Sequence, residues 1–76
     1  MPLFFFQITH DAESFPQGEL DLPHRNAAWE QATVTAGEML RDLGGRFRLG
    51  AEWRMDVADN SRKTIFCLRI IGEDLT

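Results

Sequence analysis

The stretch Arg25–Leu43 constrains the fold of this chain most, because its apolar residues recur with the period of an α-helix. On a helical wheel at about 100° per residue, the apolar side chains fall within about a third of the circumference. They are Ala28, Trp29, Ala32, Ala36, Met39, Leu40 and Leu43. Charged residues such as Glu30 and Glu38 lie outside this stripe. The sequence therefore predicts an amphipathic helix with one buried stripe.

The predicted helix has recognisable ends. Gly44-Gly45 follows it directly, and glycine adopts the left-handed conformation of a helix C-cap without a Cβ clash. Before it, the fixed φ of Pro23 suits the start of a helix. The N-cap is predicted to be His24 or Asn26, of which Asn26 has the better capping side chain.

Four other segments have the alternation or apolar enrichment that is typical of β-strands. They are residues 3–9, the short segment 19–22, Glu52–Ala58 and Thr64–Ile71. Residues 10–14 and 16–18 are predicted turns, and 59–62 is a predicted hairpin turn. The order strand, short strand, helix, strand, strand predicts an α+β fold, with one amphipathic helix on one face of a small, largely antiparallel sheet. The 76 residues are expected to form a single domain, 1–76.

A sheet covered by one helix has a second face that the helix does not reach. Alternation assigns to the helix side Phe4, Phe6, Ile8, Trp53, Met55, Val57, Phe66, Leu68 and Ile70. The opposite face then carries Leu3, Phe5, Ile65, Cys67 and Ile71. A solvated face normally alternates to polar residues, and an apolar cluster with a polar rim marks an interface. Because twofold dimers are the commonest way to bury one, the sequence predicts a homodimer. The alternative is a monomer whose loop carrying Phe15 covers this face.

The charge of the chain disfavours nucleic acid as a partner. The formal net charge is −4, whereas phosphate binding requires basic surface. The bases are nevertheless concentrated in the second half, where residues 41–72 carry seven bases against four acids. There Arg46, Phe47 and Arg48 form a candidate nucleic-acid contact, because an aromatic ring among arginines can stack on bases. The alternative for Phe47 is a plug over the edge of the sheet.

Residues that could carry chemistry are few. The single cysteine, Cys67, excludes an intramolecular disulfide and a cysteine metal cage. The pair His10-Asp11 could form part of a catalytic site, but no nucleophile is placed beside it. Gly44-Gly45 is not expected to be a phosphate-binding loop, because such a loop follows a strand and these glycines follow the predicted helix. We therefore expect no enzyme activity, catalytic residue, metal site or cofactor. With no signal peptide and no apolar run of about 20 residues, a cytoplasmic protein without membrane contact is expected.

Several short motifs together resemble a known family. They are the opening Met-Pro-x-Phe-Phe-Phe, Gly18-Glu19-Leu20 followed by Leu22-Pro23, the alanine-rich helix, and Trp53, Met55, Val57 and Asp59 before a basic turn residue. They resemble small alphaproteobacterial proteins with a domain of unknown function, and the resemblance spans nearly the whole chain. It implies a fold and no activity. His24 stands where that family usually carries an acidic N-cap.

The layout of strand pair, Leu-Pro turn and alanine-rich helix is also similar to that of HicB antitoxins. Their tyrosine-led first strand and Pro-Asp-Leu-Pro-Gly turn are absent, so the similarity is an analogy of layout. We therefore expect a protein-interaction or regulatory module that self-associates and binds an unidentified protein partner. The alternative is a small nucleic-acid-binding or antitoxin-like protein.

Overall fold

The structure is a computed structural model that describes residues 2–10 and 13–76, with the side chains of Pro16 and Gln17 excepted. Within these residues, four strands and one helix follow one another along the chain. They are β1 (Leu3–His10), β2 (Glu13–Asp21), α1 (Arg25–Leu43), β3 (Glu52–Ala58) and β4 (Thr64–Ile71). The predicted α+β class is confirmed, and α1, β3 and β4 have the predicted bounds. No helix in the described part of the chain is long and apolar enough to cross a membrane.

The strands form one antiparallel sheet in the order β2-β1-β3-β4. The two central strands, β1 and β3, carry six apolar side chains that are at most 6% exposed: Phe4, Phe6, Ile8, Trp53, Met55 and Val57. All six point to the face that α1 covers, which we call the inner face. The opposite side of the sheet is called the outer face.

The second strand is longer than the sequence predicts. Residues 10–14 and 16–18 are predicted turns, yet β2 runs from Glu13 to Asp21 along β1. Phe6 lies opposite Gly18 and Gln7 opposite Pro16, which leaves a β-bulge at position 17. Because β2 is an edge strand, proline is tolerated there without a lost ladder hydrogen bond. The Pro-x-Gly signal therefore marks a bulge within a strand. Of the predicted turn 10–14, Asp11 and Ala12 lie outside the described residues.

The helix meets the sheet through small side chains. Ala28, Ala32 and Ala36, which we call the alanine stripe, are 0%, 0% and 4% exposed. Because alanine adds little bulk, the helix backbone approaches the sheet closely and the large side chains of the inner face fill the core. The buried stripe is narrower than predicted, since Trp29 and Leu40 remain 38% and 37% exposed. The ring of Trp29 instead lies 5.4 Å from that of Phe66 in the edge strand β4.

Both ends of α1 are closed by identifiable contacts. His24, and not Asn26, is the N-cap: its backbone is extended and its Nδ1 accepts a hydrogen bond from the backbone N–H of Ala27 at 3.1 Å. Gly44 forms the C-cap at φ 56°, as predicted. Beyond it, the guanidinium of Arg46 donates to the carbonyl oxygens of Leu43 and Asp42, at 2.8 and 3.1 Å. These contacts satisfy carbonyls that the helix itself leaves without a partner.

The alanine stripe gives a first prediction. Replacing Ala32 with leucine should cost about 1–3 kcal/mol of the free energy of unfolding, because a larger side chain at a fully packed contact pushes the helix off the sheet. Urea denaturation measures the loss. Val34→Leu is the matched control, since Val34 is 57% exposed and its replacement should change stability by less than about 0.5 kcal/mol. Equal effects for the two variants would contradict the packing described here.

Candidate interaction surface

The outer face carries four of the five predicted interface residues. Leu3 and Phe5 of β1 are half-buried there, and Cys67 and Ile71 of β4 are exposed. They do not form one patch. Asp56 of β3 lies directly between Gln7 and Cys67, and Arg54 lies between Thr9 and Arg69. A polar band on β3 therefore separates the apolar residues of β1 from those of β4.

Ion pairs reinforce this polar band. Arg54 Nε lies 3.2 Å from Asp56 Oδ2, and Arg69 Nε lies 3.4 Å from Glu52 Oε1. The Arg54 Nε atom is shielded from solvent, and its contact with Asp56 lacks the alignment of a hydrogen bond. Such partly exposed pairs contribute little to stability, but they keep the centre of the outer face polar.

The prediction that Ile65 lies on the outer face is wrong. Val57 pairs with Phe66 and Ala58 with Thr64, so Ile65 is the extra residue of a β-bulge. The bulge breaks the alternation of side chains along β4. Ile65 is consequently half-buried and packs against the core under α1.

Phe5 is covered by a cation from the β3–β4 hairpin. The guanidinium carbon of Arg62 lies 3.9 Å from the centroid of the Phe5 ring, a close cation–π contact. Arg62 has a φ of 67°, a left-handed conformation that favours glycine. The turn imposes it, because the Oδ1 of Asp59 accepts hydrogen bonds from the backbone N–H groups of Ser61 and Lys63, at 2.9 and 3.1 Å. Phe5 is thus less available to a partner than its sequence pattern suggests.

A depression of about 510 Å³ opens on the outer face beside this contact. Its lining includes Phe5, Gln7, Glu19, Asp56 and Arg62. One cation and two carboxylates leave it with no strong preference for a ligand charge. Sequence reasoning missed it, because it depends on the position of Arg62, which only the folded hairpin fixes.

The two edges of the sheet differ sharply. Each edge strand pairs on one side, so its other side presents backbone N–H and C=O groups to which a further strand can bind. On β2 this side is blunted by Pro16, by the bulge at position 17, and by Glu13 and Glu19. β4 contains no proline and one charged residue, Arg69. By these criteria β4 is the unprotected edge.

Apolar side chains accompany the unprotected backbone of β4. Phe66, Leu68 and Ile70 are half-buried, and Ile71 is 53% exposed. Beside them, Trp29 borders a cleft of about 390 Å³ whose other lining residues are Asn26, Ile65, Phe66 and Cys67. We call the strand Thr64–Ile71 together with Trp29 the β4 edge. It combines unpaired backbone with apolar surface, and it contains three of the five predicted interface residues.

The candidate nucleic-acid contact is largely engaged within the protein. Arg46 caps the C-terminus of α1. Phe47 is half-buried, packs against the core, and stacks on the ring of His10 at 5.8 Å between centroids. Phe47 thus packs inside the protein, beside the end of the central strand β1. Arg48 is exposed. A contact of this tripeptide with nucleic acid stays a prediction, and base stacking would require Phe47 to leave its packed position.

Groups that could carry chemistry are scattered. Across residues 2–10 and 13–76, no cluster of three or more His, Cys, Asp or Glu side chains could hold a metal ion. His10 stacks on Phe47, while its sequence neighbour Asp11 lies outside the described residues. The pKa of Asp74 is lowered because its carboxylate accepts hydrogen bonds from the backbone and side chain of Thr76. That contact lies in the exposed residues after β4.

Comparison with known proteins identifies a family. The model of a family described as a domain of unknown function, DUF6894, matches residues 3–71 of the chain. The match runs from the first residue of β1 to the last residue of β4 and so includes every element of the fold. No curated protein and no solved structure matched the chain.

The contact between Arg62 and Phe5 can be tested by a double-mutant cycle. In a Phe5→Leu background, Arg62→Gly should raise the free energy of unfolding by about 1 kcal/mol, because it relieves the left-handed strain without losing a ring contact. With Phe5 present the gain should be smaller by about 0.5–1 kcal/mol, the value of the cation–π contact. Urea unfolding of the four proteins measures both. The same effect of Arg62→Gly in the two backgrounds would mean that the two side chains do not interact.

Proposed function

The chain belongs to DUF6894, a family of domains of unknown function, and from that premise we propose that it is a non-enzymatic interaction module that self-associates through the β4 edge. The observation that carries the proposal is the contrast between a blunted edge on β2 and an unprotected, apolar edge on β4. Natural sheets block edges that are not used, so an open edge favours pairing with another strand. The proposed site of action is the cytoplasm, where a single free thiol such as Cys67 stays reduced.

Addition of a strand would pair the free backbone of the β4 edge and also cover its apolar side chains. A strand from another chain would hydrogen-bond to the free side of β4 and give most of the affinity through the backbone. The same strand would cover Phe66, Leu68 and Ile70, which are half-buried although their neighbours Trp53 and Met55 in β3 are 2% and 0% exposed. Each apolar Å² removed from water contributes roughly 25 cal/mol, so covering three large side chains favours association.

A second copy of this chain is the partner that supplies a matching strand at equal concentration. Two β4 edges related by a twofold axis form a closed dimer, because each edge is used once. The opposite edge, β2, carries acidic residues and a bulge, so further growth into a fibre is blocked. A strand from a different protein could occupy the same edge. The nucleic-acid-binding or antitoxin-like alternative stays a prediction that no observation in the structure favours.

The proposal predicts a dimer that depends on β4. Sedimentation and light scattering at about 100 μM protein should give twice the 8.7 kDa chain mass, since dimer formation depends on protein concentration. Cys67→Lys introduces a charge at an exposed position in the middle of β4. It should weaken dimerisation roughly tenfold, because each copy would place a new cation against a strand that already carries Arg69.

Two variants serve as controls for this experiment. Val34→Lys puts the same charge at an exposed position of α1, and it should leave the dimer unchanged. Phe5→Asp tests the outer face: it should also leave the dimer intact if pairing uses β4, and it should abolish the dimer if the outer face is the interface. A monomer at about 100 μM would overturn the proposal that the protein self-associates.

A further inference from the structure

We propose that two copies pair antiparallel along β4 in one particular register, in which Leu68 faces its own copy across the twofold axis. This inference rests on the proposed function, because it assumes that β4 is the interface. It adds which residues face each other across that interface. Three properties of β4 determine the register: its alternation, its bulge and its single charge.

Symmetry limits the possible registers. In an antiparallel pair, directly opposite side chains lie on the same face of the sheet. A twofold axis perpendicular to the sheet keeps inner face with inner face, so one residue of the strand must face its own copy across the axis. We refer to this as an axis through that residue. In the joined sheet both helices then lie on the same side. The candidate centres are the successive residues of β4.

The bulge restricts which part of β4 can pair regularly. Because Ile65 is the extra residue, the regular strand begins at Phe66 and ends at Ile71. An axis through Leu68 pairs residues 66–70 of both copies, all within the regular strand. An axis through Cys67 pairs only 66–68 regularly, since Arg69 would then face the bulge at Ile65. An axis through Phe66 gives a shorter regular overlap than one through Cys67, and an axis through Ile70 gives an overlap of the same length as one through Cys67.

Charge repulsion disfavours the other register with a long regular overlap, the one with its axis through Arg69. An axis through Arg69 would set Arg69 directly opposite its own copy, and like charges in that position are destabilising. With the axis through Leu68, Arg69 instead faces the exposed Cys67 of the second copy. Each Arg69 also keeps its ion pair with Glu52 of its own chain, at 3.4 Å, which offsets part of the positive charge near the axis.

Apolar matching favours the same register. On the inner face, Leu68 meets its own copy, and Phe66 meets Ile70 of the second copy. These are the three half-buried side chains in the regular part of β4, and this register pairs each of them with another. With the axis through Cys67, Ile70 would lie opposite the polar residues that precede the bulge, Lys63 and Thr64. Position along the strand, charge and burial therefore all point to Leu68.

Disulfide trapping tests the register with one thiol per chain. The wild-type chain has its only thiol at Cys67, and the double variant Cys67→Ser/Arg69→Cys has its only thiol at position 69. In the proposed register, position 67 of one copy faces position 69 of the other, within reach of a disulfide. Oxidation of an equimolar mixture should convert roughly half of the chains, the share of mixed dimers, to a species of twice 8.7 kDa.

Each protein oxidised alone is the matched control and should give about tenfold less cross-linked dimer, since its thiols do not face each other. Circular dichroism checks that the double variant is folded. Cross-linking of the wild-type chain alone would place the axis at Cys67, and cross-linking of the variant alone would place it at Arg69. Either result overturns the register and leaves the proposed function standing. A dimer by sedimentation without any cross-link overturns it as well. A monomer by sedimentation overturns the proposed function itself.

Discussion

The close contact between the alanine stripe and the inner face is the interaction on which the rest of the structure depends. Because Ala28 and Ala32 are fully buried, the sheet and not the helix supplies the bulky part of the core. A fold of 76 residues has one core of this kind, and one helix covers one face. The apolar side chains of the central strands β1 and β3 are buried, while those of β4, where Phe66 contacts Trp29 of the helix, stay partly in solvent. The partly exposed apolar side chains thus lie on a strand that has a neighbour on one side only.

The outer face is protected by polar chemistry. Its central strand carries Arg54 and Asp56, and Arg62 lies over the aromatic ring of Phe5. A face built in this way can remain in water without a second layer. The more open surface is the β4 edge, which contains no proline and one charged strand residue, Arg69. By contrast, β2 contains Pro16, a bulge and the charged residues Glu13 and Glu19.

Much of this architecture could be predicted from the sequence, and the exceptions have clear physical causes. The helix Arg25–Leu43 could be predicted because its apolar residues have the helical period and the glycines that follow mark its end. β3 and β4 were readable because alternation is a local property. The length of β2 and the orientation of Ile65 were not, because a bulge adds one residue and its position depends on the register of the neighbouring strand. The N-cap at His24 was not predictable either, because Asn26 has the better capping side chain but lies inside the helix.

The candidate interface could be predicted only in part. Alternation identified Cys67 and Ile71 as side chains that the helix does not cover, but it could not place Arg62 over Phe5. That contact joins residues far apart in the chain and requires a left-handed arginine, for which no local sequence pattern exists. Nor could composition rank the two edges, because the strand order β2-β1-β3-β4 decides which strands are edges. The sequence thus identified individual side chains of the candidate interface, but their arrangement in space depends on the fold.

Amide hydrogen exchange as a function of protein concentration tests most directly the claim that β4 is the edge through which two copies meet. In a single chain, alternate amides of β4 point away from β3 and exchange with solvent, as do those on the free side of β2. The account predicts that raising the concentration through the dimerisation range slows exchange in Thr64–Ile71 and leaves Glu13–Asp21 unchanged. Concentration-independent exchange in β4, or protection that appears in β1 and β2 instead, would contradict it.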